Sequence, residues 1–594
     1  MKQVLADVFS LVFAVFAFVF LFIFLQTHHI WGNVHIEQIL INLNEGVDLV
    51  SDKLILGYVF AAVLGIVSAI SFSVLIKTNK KLVVLSGVVC LFVLWRIGVF
   101  SYFLNKKIYS DIYEKEYINP ESLTYTFPQE KRNIIVVYLE SIEANYATQL
   151  ESNLIAHISD LAQDNLSFEG FHQMAYQDYT LAAMVESMCA VPFRGSKLKG
   201  YEGYENFLAS LVCYGEILQQ NGYETVFIKG ADINFARTGL FMRSHGFNKA
   251  MGANELNQNF SYPLKDHTGG FAGYHDAALY KMIKEELSTL SRQDKPFLLS
   301  FITLDTHEPD YFLSPGCAGN PQSKEDVVRC TDKMLFDFIQ WLKGQPFYDK
   351  TTVVVMGDHT QTGINRLYPK LRERQVVNFI LNPSPDFEKA EHTAWTTLDV
   401  APTVLNAAGI SFGGAKFGLG RSLFAPEKNL YEKYGHKLET ELLKSSHVYD
   451  AFETVKNKKE AQYHVYEPLG RVVLTPDEIE YFATYGKNIF GAVFLDELSF
   501  NVAQQSSDLV LEVMFKTMLP KSKKRVIRVV ANNQNAAVWE ISDKDKQPIV
   551  RTAVISKDVL KDGRLRVVFD FDELPALTEG LGIGVLSFSL KPAE

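Results

Sequence analysis

Acidic and imidazole side chains stand directly after three short apolar runs of this sequence. Glu140 ends the run "NIIVVYLE", Asp358 and His359 follow "TTVVVMG", and Asp305 and His307 follow "FLLSFITL". Carboxylates and imidazoles together are ligands for a divalent metal, since carboxylate favours Mn²⁺ or Mg²⁺ and imidazole favours Zn²⁺ or Mn²⁺. A single carboxylate after a strand is more often the cap of the next helix. The coincidence of three such positions therefore favours a metal site.

A threonine, Thr180, stands at the expected start of a helix in "DYTLAAMVESMCAVPFR", residues 178–194. Unpaired N–H groups at a helix N-terminus favour negative charge, but a threonine hydroxyl ionises far above physiological pH. A coordinated metal supplies the missing stabilisation of the alkoxide. Thr180 is therefore a candidate nucleophile, and the alternative is that it only caps its helix.

These side chains need a framework that brings distant segments together. Short runs of β-branched residues without alternation are typical of strands buried on both faces of a parallel sheet. Four such runs alternate with helix-like segments, among them "AALYKMIKEEL" and "DKMLFDFIQWL". The alternation predicts a doubly wound α/β domain over residues 132–428. Ligands of such sheets bind at the carboxyl ends of the strands, where the acids and imidazoles stand.

Three apolar segments precede this domain. Residues 8–25, 54–76 and 82–104 are each close to the ~20 residues that cross a bilayer core, which predicts three transmembrane helices. The loop between the second and third, "KTNKK" at 77–81, is strongly basic, whereas the loop between the first and second is mostly acidic. The positive-inside tendency places 77–81 in the cytoplasm, so the chain after Leu104 lies on the outer side.

The remaining segments differ from the α/β domain in composition and hydropathy pattern. Residues 105–131 are a polar connector, and residues 429–462 are charged and helical, as in a linker. Strand-like runs with polar breaks then continue to the end, which predicts a β-sandwich-like domain over 463–594. Its role stays open between sugar binding and packing.

The five cysteines agree with an exported domain. Cys90 falls in the third apolar segment and the other four in the exported part. In an oxidising compartment the simplest connectivity is Cys189 with Cys213 and Cys317 with Cys330, although spacing leaves the other pairings open. No pair has the C-x-x-C spacing of a zinc site. The formal net charge of −10 argues against a nucleic-acid partner.

Five motifs carry a family resemblance: "NIIVVYLESIEANY", "DYTLAAMVESMCAVPF", "FIKGADINFARTGLFMRSHGF", "LDTHEPD" and "MGDHT". They resemble the lipoteichoic acid synthase and phosphoglycerol transferase I family, a sulfatase-like branch of the alkaline phosphatase superfamily. The resemblance spans about residues 30–425. It implies an enzyme of the bacterial inner membrane with its catalytic domain on the periplasmic or extracellular side. Such an enzyme moves glycerol phosphate from phosphatidylglycerol in the bilayer to a periplasmic or surface glycan.

The resemblance also implies residue roles by position. Glu140, Thr180, Asp358 and His359 would surround one divalent metal, usually Mn²⁺, with Mg²⁺ and Zn²⁺ as alternatives. Thr180 would be the nucleophile that carries a covalent phospho-threonine intermediate. His307 matches a histidine that contacts the substrate phosphate or the leaving group.

The substrate-side loop, "KGADINFARTGLF", departs from the teichoic acid enzymes. Those enzymes carry histidine, tryptophan and arginine where this chain has Lys229, Ala236 and Thr238. The difference disfavours teichoic acid synthesis. It leaves Lys229 and Arg237 as candidates for binding substrate phosphate, the alternative being solvated surface charges.

Three other functions agree with the sequence less well. A sulfatase needs a C/S-x-P-x-R motif, and "CAVPFR" at 189–194 has one residue too many. A phosphoethanolamine transferase shares the fold, the metal and the threonine, but usually has five membrane helices and a zinc-type site. A membrane-anchored glycan-binding or sensor protein with an inactive enzyme-like domain is the third, and the four intact metal-site residues argue against it.

Overall fold

The structure is a computed structural model of the chain. Apart from isolated positions, it describes residues 17–28, 60–66, 81–174, 177–194, 207–260, 273–308, 311–361 and 373–452, and strands between 497 and 592. The chain divides into two compact units, Met1–Lys458 and Lys459–Glu594.

A six-stranded sheet lies at the centre of the first unit. Its strands, β1 to β6 in chain order, are Asn133–Leu139, Glu224–Lys229, Lys249–Met251, Phe297–Ile302, Thr351–Gly357 and Asn378–Leu381. Their spatial order is β3-β2-β4-β1-β5-β6. The first five strands pair in parallel and β6 pairs antiparallel with β5, so the sheet is mixed. The alternating sequence pattern predicts the parallel strands and gives no sign of the antiparallel edge.

Helices cover both faces of this sheet. From residue 81 onward the described α-helices, α1 to α14 in chain order, are Lys81–Arg96, Val99–Asn105, Ile112–Glu116, Ala156–Asp164, Thr180–Cys189, Tyr214–Gln220, Thr238–Ser244, Ala253–Asn259, Asp276–Leu290, Lys324–Lys343, Val400–Ala407, Leu430–Tyr434, Lys437–Leu443 and His447–Phe452.

The continuous apolar character of the strands follows from this double cover. Along β1, Val136 and Tyr138 belong to one buried cluster, and Ile135 and Val137 belong to another on the opposite face. Helices α5, α6, α7 and α11 contribute to the first cluster, whereas α4, α8, α9 and α10 contribute to the second. Every residue of the strand interior therefore leaves water, which favours β-branched side chains at both odd and even positions.

The N-terminal apolar segments are described only in part. Among the described residues, no single helix has both the length and the apolarity needed to cross a membrane, and one pair, Gly87–Arg96 with Val99–Asn105, meets the test together while bent by 57°. The single helix expected over 82–104 is thus divided at Gly98, whose φ of 79° lies in the left-handed region that suits glycine. The described apolar helix Ala17–His28 overlaps the span expected over 8–25. The start of that span, most of 54–76 and most of the basic loop before α1 lie outside the described residues.

The chain enters and leaves the α/β fold at adjacent points. The amide of Ser110, just before α3, donates to the carbonyl of Ser445 at 3.0 Å, and the hydroxyl of Tyr113 donates to the carbonyl of Leu442 at 3.1 Å. Leu442 and Tyr449 are buried in the same cluster as α5. Helices α13 and α14 therefore pack on the fold, although their charged sequence suggested a linker at 429–462.

The second unit contains two antiparallel sheets. Its described strands, β7 to β13, are Glu497–Asn501, Leu509–Thr517, Lys524–Ala531, Gln534–Ser542, Ile549–Ile555, Arg564–Phe571 and Ile583–Pro592. They form one sheet in the order β7-β12-β9-β10 and another in the order β11-β8-β13. Residues 463–496 of the expected β-rich domain lie outside the described residues, and the sandwich packing of the two sheets stays a prediction.

Candidate metal centre

Two neighbouring strands deliver acidic side chains to one point. Leu139 of β1 pairs with Gly357 of β5, so Glu140 and Asp358 leave the sheet side by side. Glu140, Asp358 and His359 are buried, and their ligand atoms all lie within 4.8 Å of one another. His359 Nε2 is 3.3 Å from Asp358 Oδ2 and 3.7 Å from Glu140 Oε1.

Thr180 reaches the same point from a helix. It is the first residue of α5, and the preceding Tyr179 has extended backbone angles, so the chain turns into the helix at this threonine. Its hydroxyl donates to Glu140 Oε2 at 3.2 Å. The structure thus brings together four residues that are far apart in the sequence, as the metal-site prediction requires.

Two disulfides stabilise segments around these residues. Cys189, the last residue of α5, is bonded to Cys213, which precedes α6. Cys317 is bonded to Cys330 within α10, while Cys90 is a free, buried thiol. The first disulfide therefore fixes the far end of the helix that begins with the candidate nucleophile.

The orientation of His359 explains why a cation fits here. Its Nδ1 lies 2.9 Å from the carbonyl oxygen of Thr360, which can only accept, so Nδ1 carries the hydrogen of the neutral ring. The lone pair of Nε2 then faces the carboxylates of Glu140 and Asp358. The Oδ2 atom of Asp358 is buried without a hydrogen-bond partner among the described residues. Electron-rich atoms in this arrangement need a positive charge between them, and two carboxylates, an imidazole and a hydroxyl are a ligand set that a divalent cation accepts.

The charges of the protein side chains also favour a bound cation. Burial raises the pKa of Asp358 to about 7, and the charge of Glu140 adds to the increase. Burial also opposes ionisation of Glu140, but the positive charges that His307, His359 and Lys324 can carry and the hydrogen bond from Ser141 together outweigh it and hold the pKa of Glu140 below its usual value. Two carboxylates at this distance do not ionise together easily, and a bound cation would remove that repulsion.

Ser141 connects the two carboxylates, a role that sequence analysis did not predict. Its amide donates to Asp358 Oδ1 at 2.9 Å, and its hydroxyl donates to Glu140 Oε1 at 2.7 Å. Its φ of 55° lies in the left-handed region, which costs a non-glycine residue about 1 kcal/mol or more. Strained backbone angles often accompany functional sites, but they follow from the folded loop and leave no trace in residue type.

A second unforeseen residue, Lys324, supports the loop that carries His307. Lys324 begins α10 and is fully buried. Its ammonium group donates to the carbonyl of Thr306 and lies 3.4 Å from Glu308 Oε1. Burial lowers the pKa of His307, and the charge of Glu140 opposes that decrease, which places the ring in the field of the metal centre. The contact of His307 with the substrate stays a prediction.

Asp305, which stands with His307 in the sequence motif, has another role. Its carboxylate accepts a hydrogen bond from the hydroxyl of Ser314, and its amide donates to Asp276 Oδ2 at 3.1 Å. Burial raises the pKa of Asp305 well above its usual value. This carboxyl group stabilises the loop after β4.

Lys229 and Arg237 occupy a different part of the same sheet edge. Lys229 ends β2, and its partner Ile302 also pairs with Tyr138 of β1. Because neighbouring strands lie about 4.8 Å apart, Lys229 is roughly 10 Å from Tyr138. The Nζ of Lys229 is 3.3 Å from the Thr238 hydroxyl, and Arg237 is the N-cap of α7 with a φ of 55°. Neither residue belongs to the group of Glu140, Asp358 and His359.

Part of the chain is similar to known proteins. Residues 132–410 match the sulfatase family. Phosphoglycerol transferase I from Salmonella typhimurium is 32% identical over 307 residues, which make up 50% of this chain and 39% of that protein. The match therefore spans about two fifths of the length of this relative.

Solved structures resemble the chain over a similar extent. The lipoteichoic acid synthase LtaP from Listeria monocytogenes has 19% sequence identity and a TM-score of 0.39, with coverage of 54% of this chain and 81% of that one. The Streptococcus pyogenes phosphoglycerol transferase GacH in complex with sn-glycerol-1-phosphate has 16% identity and a TM-score of 0.35, with coverage of 59% and 88%.

Proposed function

We propose that this chain, whose residues 132–410 match the sulfatase family, is a metal-dependent phosphoglycerol transferase of the alkaline phosphatase superfamily. The proposed reaction moves glycerol phosphate from phosphatidylglycerol to a periplasmic or surface glycan. The observation that carries it is the contact of the Thr180 hydroxyl with Glu140 beside Asp358 and His359. The identity with phosphoglycerol transferase I supports the choice of the transferred group.

The proposed metal ligands are Glu140, Thr180, Asp358 and His359, and the proposed ion is Mn²⁺, with Mg²⁺ and Zn²⁺ as alternatives. When bound, such an ion lowers the pKa of the Thr180 hydroxyl and neutralises charge on the phosphate oxygens. Ser141 holds both carboxylates in place, and Thr360 fixes the ring of His359 so that Nε2 points inward.

Two displacements at phosphorus follow from this arrangement. The oxygen of Thr180 attacks the phosphorus of phosphatidylglycerol and the bond to the diacylglycerol oxygen breaks, and that oxygen takes up a proton to balance the one that Thr180 loses, so diacylglycerol leaves. A hydroxyl of the glycan then attacks the phosphoglycerol-threonine and restores the free side chain. His307 is proposed to contact the phosphate or the leaving oxygen. Its lowered pKa keeps the ring mostly neutral near pH 7, so it can donate or accept a hydrogen bond.

Lys229 and Arg237 are proposed to bind the substrate phosphate. Their place at the end of β2 and the start of α7 lies at the same sheet edge as Glu140.

The proposed location is the bacterial inner membrane, with the catalytic unit on the periplasmic or extracellular side. Two disulfides support an oxidising compartment. The apolar segments before residue 105 would hold the domain beside its lipid donor. Three membrane crossings remain part of this proposal.

Mass spectrometry of the purified protein tests the threonine mechanism. After incubation with Mn²⁺ and phosphatidylglycerol, we expect a glycerol phosphate adduct on Thr180 and none in Thr180→Ala. Thr289→Ala, an exposed position on α9, is the matched control and should form the adduct normally. The Thr180→Ala change should reduce transfer by ~10³-fold or more, since it removes the nucleophile.

The same experiment separates the rival functions. An adduct formed only from phosphatidylethanolamine would favour a phosphoethanolamine transferase, and full activity of Thr180→Ala would refute the threonine mechanism. No adduct with either lipid, together with glycan binding, would favour an inactive sensor. Comparison of the glycans of cells with and without the gene would then identify the acceptor.

A further inference from the structure

A second group of metal-type side chains lies outside the proposed catalytic centre. His172 Nε2 is 2.6 Å from Glu439 Oε1, and His436 Nδ1 is 3.9 Å from the same oxygen. Ligand atoms of all three residues lie within 4.8 Å of one another. The His436 side chain is 83% exposed, whereas those of His172 and Glu439 are 27% and 23% exposed, so the group is open to solvent on one side.

Two separate parts of the chain build this group. His172 lies in the segment before α5, and its amide donates to the carbonyl of Trp395 at 2.8 Å. His436 is the N-cap of α13, and Glu439 stands in the first turn of that helix. The group therefore forms only when α13 is packed on the α/β fold.

An aromatic side chain orders the two imidazoles. The ring of Tyr431 stacks on His172 with centroids 4.2 Å apart and planes 19° from parallel. The hydroxyl of Tyr431 lies 3.1 Å from His436 Nδ1. Contacts from one tyrosine thus hold both rings beside Glu439, which lowers the entropy that a ligand must remove on binding.

We propose that His172, His436 and Glu439 form a second metal site that prefers Zn²⁺. Two imidazole nitrogens and one carboxylate oxygen are a ligand set that suits zinc, with a remaining position for water on the exposed side. The ion-pair interpretation accounts for the short contact of His172 with Glu439. The contact with the Tyr431 hydroxyl holds the exposed His436 ring, and the same Nδ1 lies 3.9 Å from Glu439 Oε1, close enough for one ion to reach both. A site of this type differs from the proposed catalytic centre, which has two carboxylates and one imidazole.

The second site is connected to the first through hydrogen bonds. Gln173, next to His172, accepts the amide hydrogen of Thr360 at 2.6 Å. The carbonyl of Thr360 in turn accepts from His359 Nδ1. A metal at the second site would therefore fix α13 against the segment that supports the His359 loop. The existence of the site does not depend on the proposed transferase activity.

Zinc binding by the full chain without a histidine tag tests this proposal. The parent for the test is Asp358→Asn, because it removes a ligand of the first site while the second stays intact. Calorimetric titration and metal analysis after dialysis against Zn²⁺ should show one tightly bound ion. His436→Ala and Glu439→Gln, each in this parent, should weaken that binding by ~tenfold or more.

The matched control is His447→Ala, an exposed histidine on α14, which should leave zinc binding unchanged. Unchanged binding in both His436→Ala and Glu439→Gln would overturn the proposal and leave an ion pair only. Because His436 is at the surface, its replacement should not unfold the protein, and circular dichroism checks this. Co²⁺ gives a second measurement, since its visible absorption should be weaker in His436→Ala if the imidazole is a ligand.

The test also separates this site from the proposed function. If Thr180 forms no adduct but zinc binding depends on His436, the second site stands and the transferase proposal falls. If the adduct forms and zinc binding ignores His436, the reverse holds.

Discussion

At the scale of single residues, Ser141 shows how the site depends on more than its ligands. One hydroxyl and one amide hold Glu140 and Asp358 in a fixed relation, from a backbone conformation that serine adopts at a cost. Residues that orient metal ligands are commonly worth one to two orders of magnitude in metal affinity.

Ser141→Ala should therefore weaken Mn²⁺ binding by about 10- to 100-fold, because Glu140 loses the donor that fixes its Oε1 atom. Ser141→Gly tests the backbone separately, since glycine accepts the positive φ without strain. Equal losses in both variants would assign the effect to the hydroxyl. Ser288→Ala on α9 is the control, and a titration followed by protein fluorescence measures all four proteins. An unchanged affinity in Ser141→Ala would contradict this role.

The raised pKa of Asp358 gives a pH dependence with a definite sign. In the metal-free protein, burial and Glu140 raise this pKa to about 7, so the carboxyl group holds a proton below that pH. A metal must displace the proton, and its affinity should fall by about tenfold per pH unit below pH 7 while it levels off above. Mn²⁺ titrations between about pH 5.5 and 8.5 measure this slope. Constant affinity over that range would show that Asp358 is ionised without metal.

At the scale of elements, the helix α5 links catalysis to the disulfide framework. The proposed nucleophile begins this helix, and Cys189 ends it with a bond to Cys213 across 24 residues of sequence. Loss of the bond gives the unfolded chain more freedom and releases the end of the helix.

Replacement of Cys189 and Cys213 by alanine should lower the free energy of unfolding by about 3 kcal/mol. The matched variant lacks Cys317 and Cys330, which are separated by 13 positions in the sequence, and should lose a similar amount. The two should differ in activity, because only the first bond holds the helix of Thr180. Urea denaturation and adduct formation measure the two effects. Equal activity losses in both variants would argue against a special role for α5.

The sequence was enough to predict the strands that end at the site. It was not enough to predict the side-chain contacts that orient the site residues. Strand ends are readable because apolar runs stop at Glu140 and Asp358, so the edge of the sheet could be predicted from these residues. The antiparallel β6 could not, since a short apolar run has the same composition in either direction. Lys324 follows Thr306 by 18 positions in the sequence, and only the packing of α10 brings its ammonium group to the loop that carries His307. The break at Gly98 depends on a single φ angle within an apolar run.

At the scale of the whole molecule, the chain consists of two compact units, each with its own sheets. The first unit, Met1–Lys458, contains the sheet and all the proposed catalytic residues, and the second contains antiparallel sheets. Units of this kind commonly fold independently.

A chain that ends at Lys458 should therefore keep its fold and form the Thr180 adduct at a rate within about twofold of the full chain. Circular dichroism and the mass-spectrometric assay check this expectation. The control is a chain that ends at Asn429, which removes α12 to α14 and exposes the cluster around Tyr113, so it should aggregate. Loss of adduct formation in the longer truncation would show that the β-rich unit takes part in the first displacement.

The adjacency of Ser110 and Ser445 has a consequence for how such proteins diversify. The chain enters and leaves the fold at neighbouring points. The segment between them can therefore be inserted into another chain without distortion of the flanking segments. Exchange of residues 110–452 between related chains keeps α14 with the cluster on which it packs, and should transfer the site residues together while the flanking segments stay those of the host.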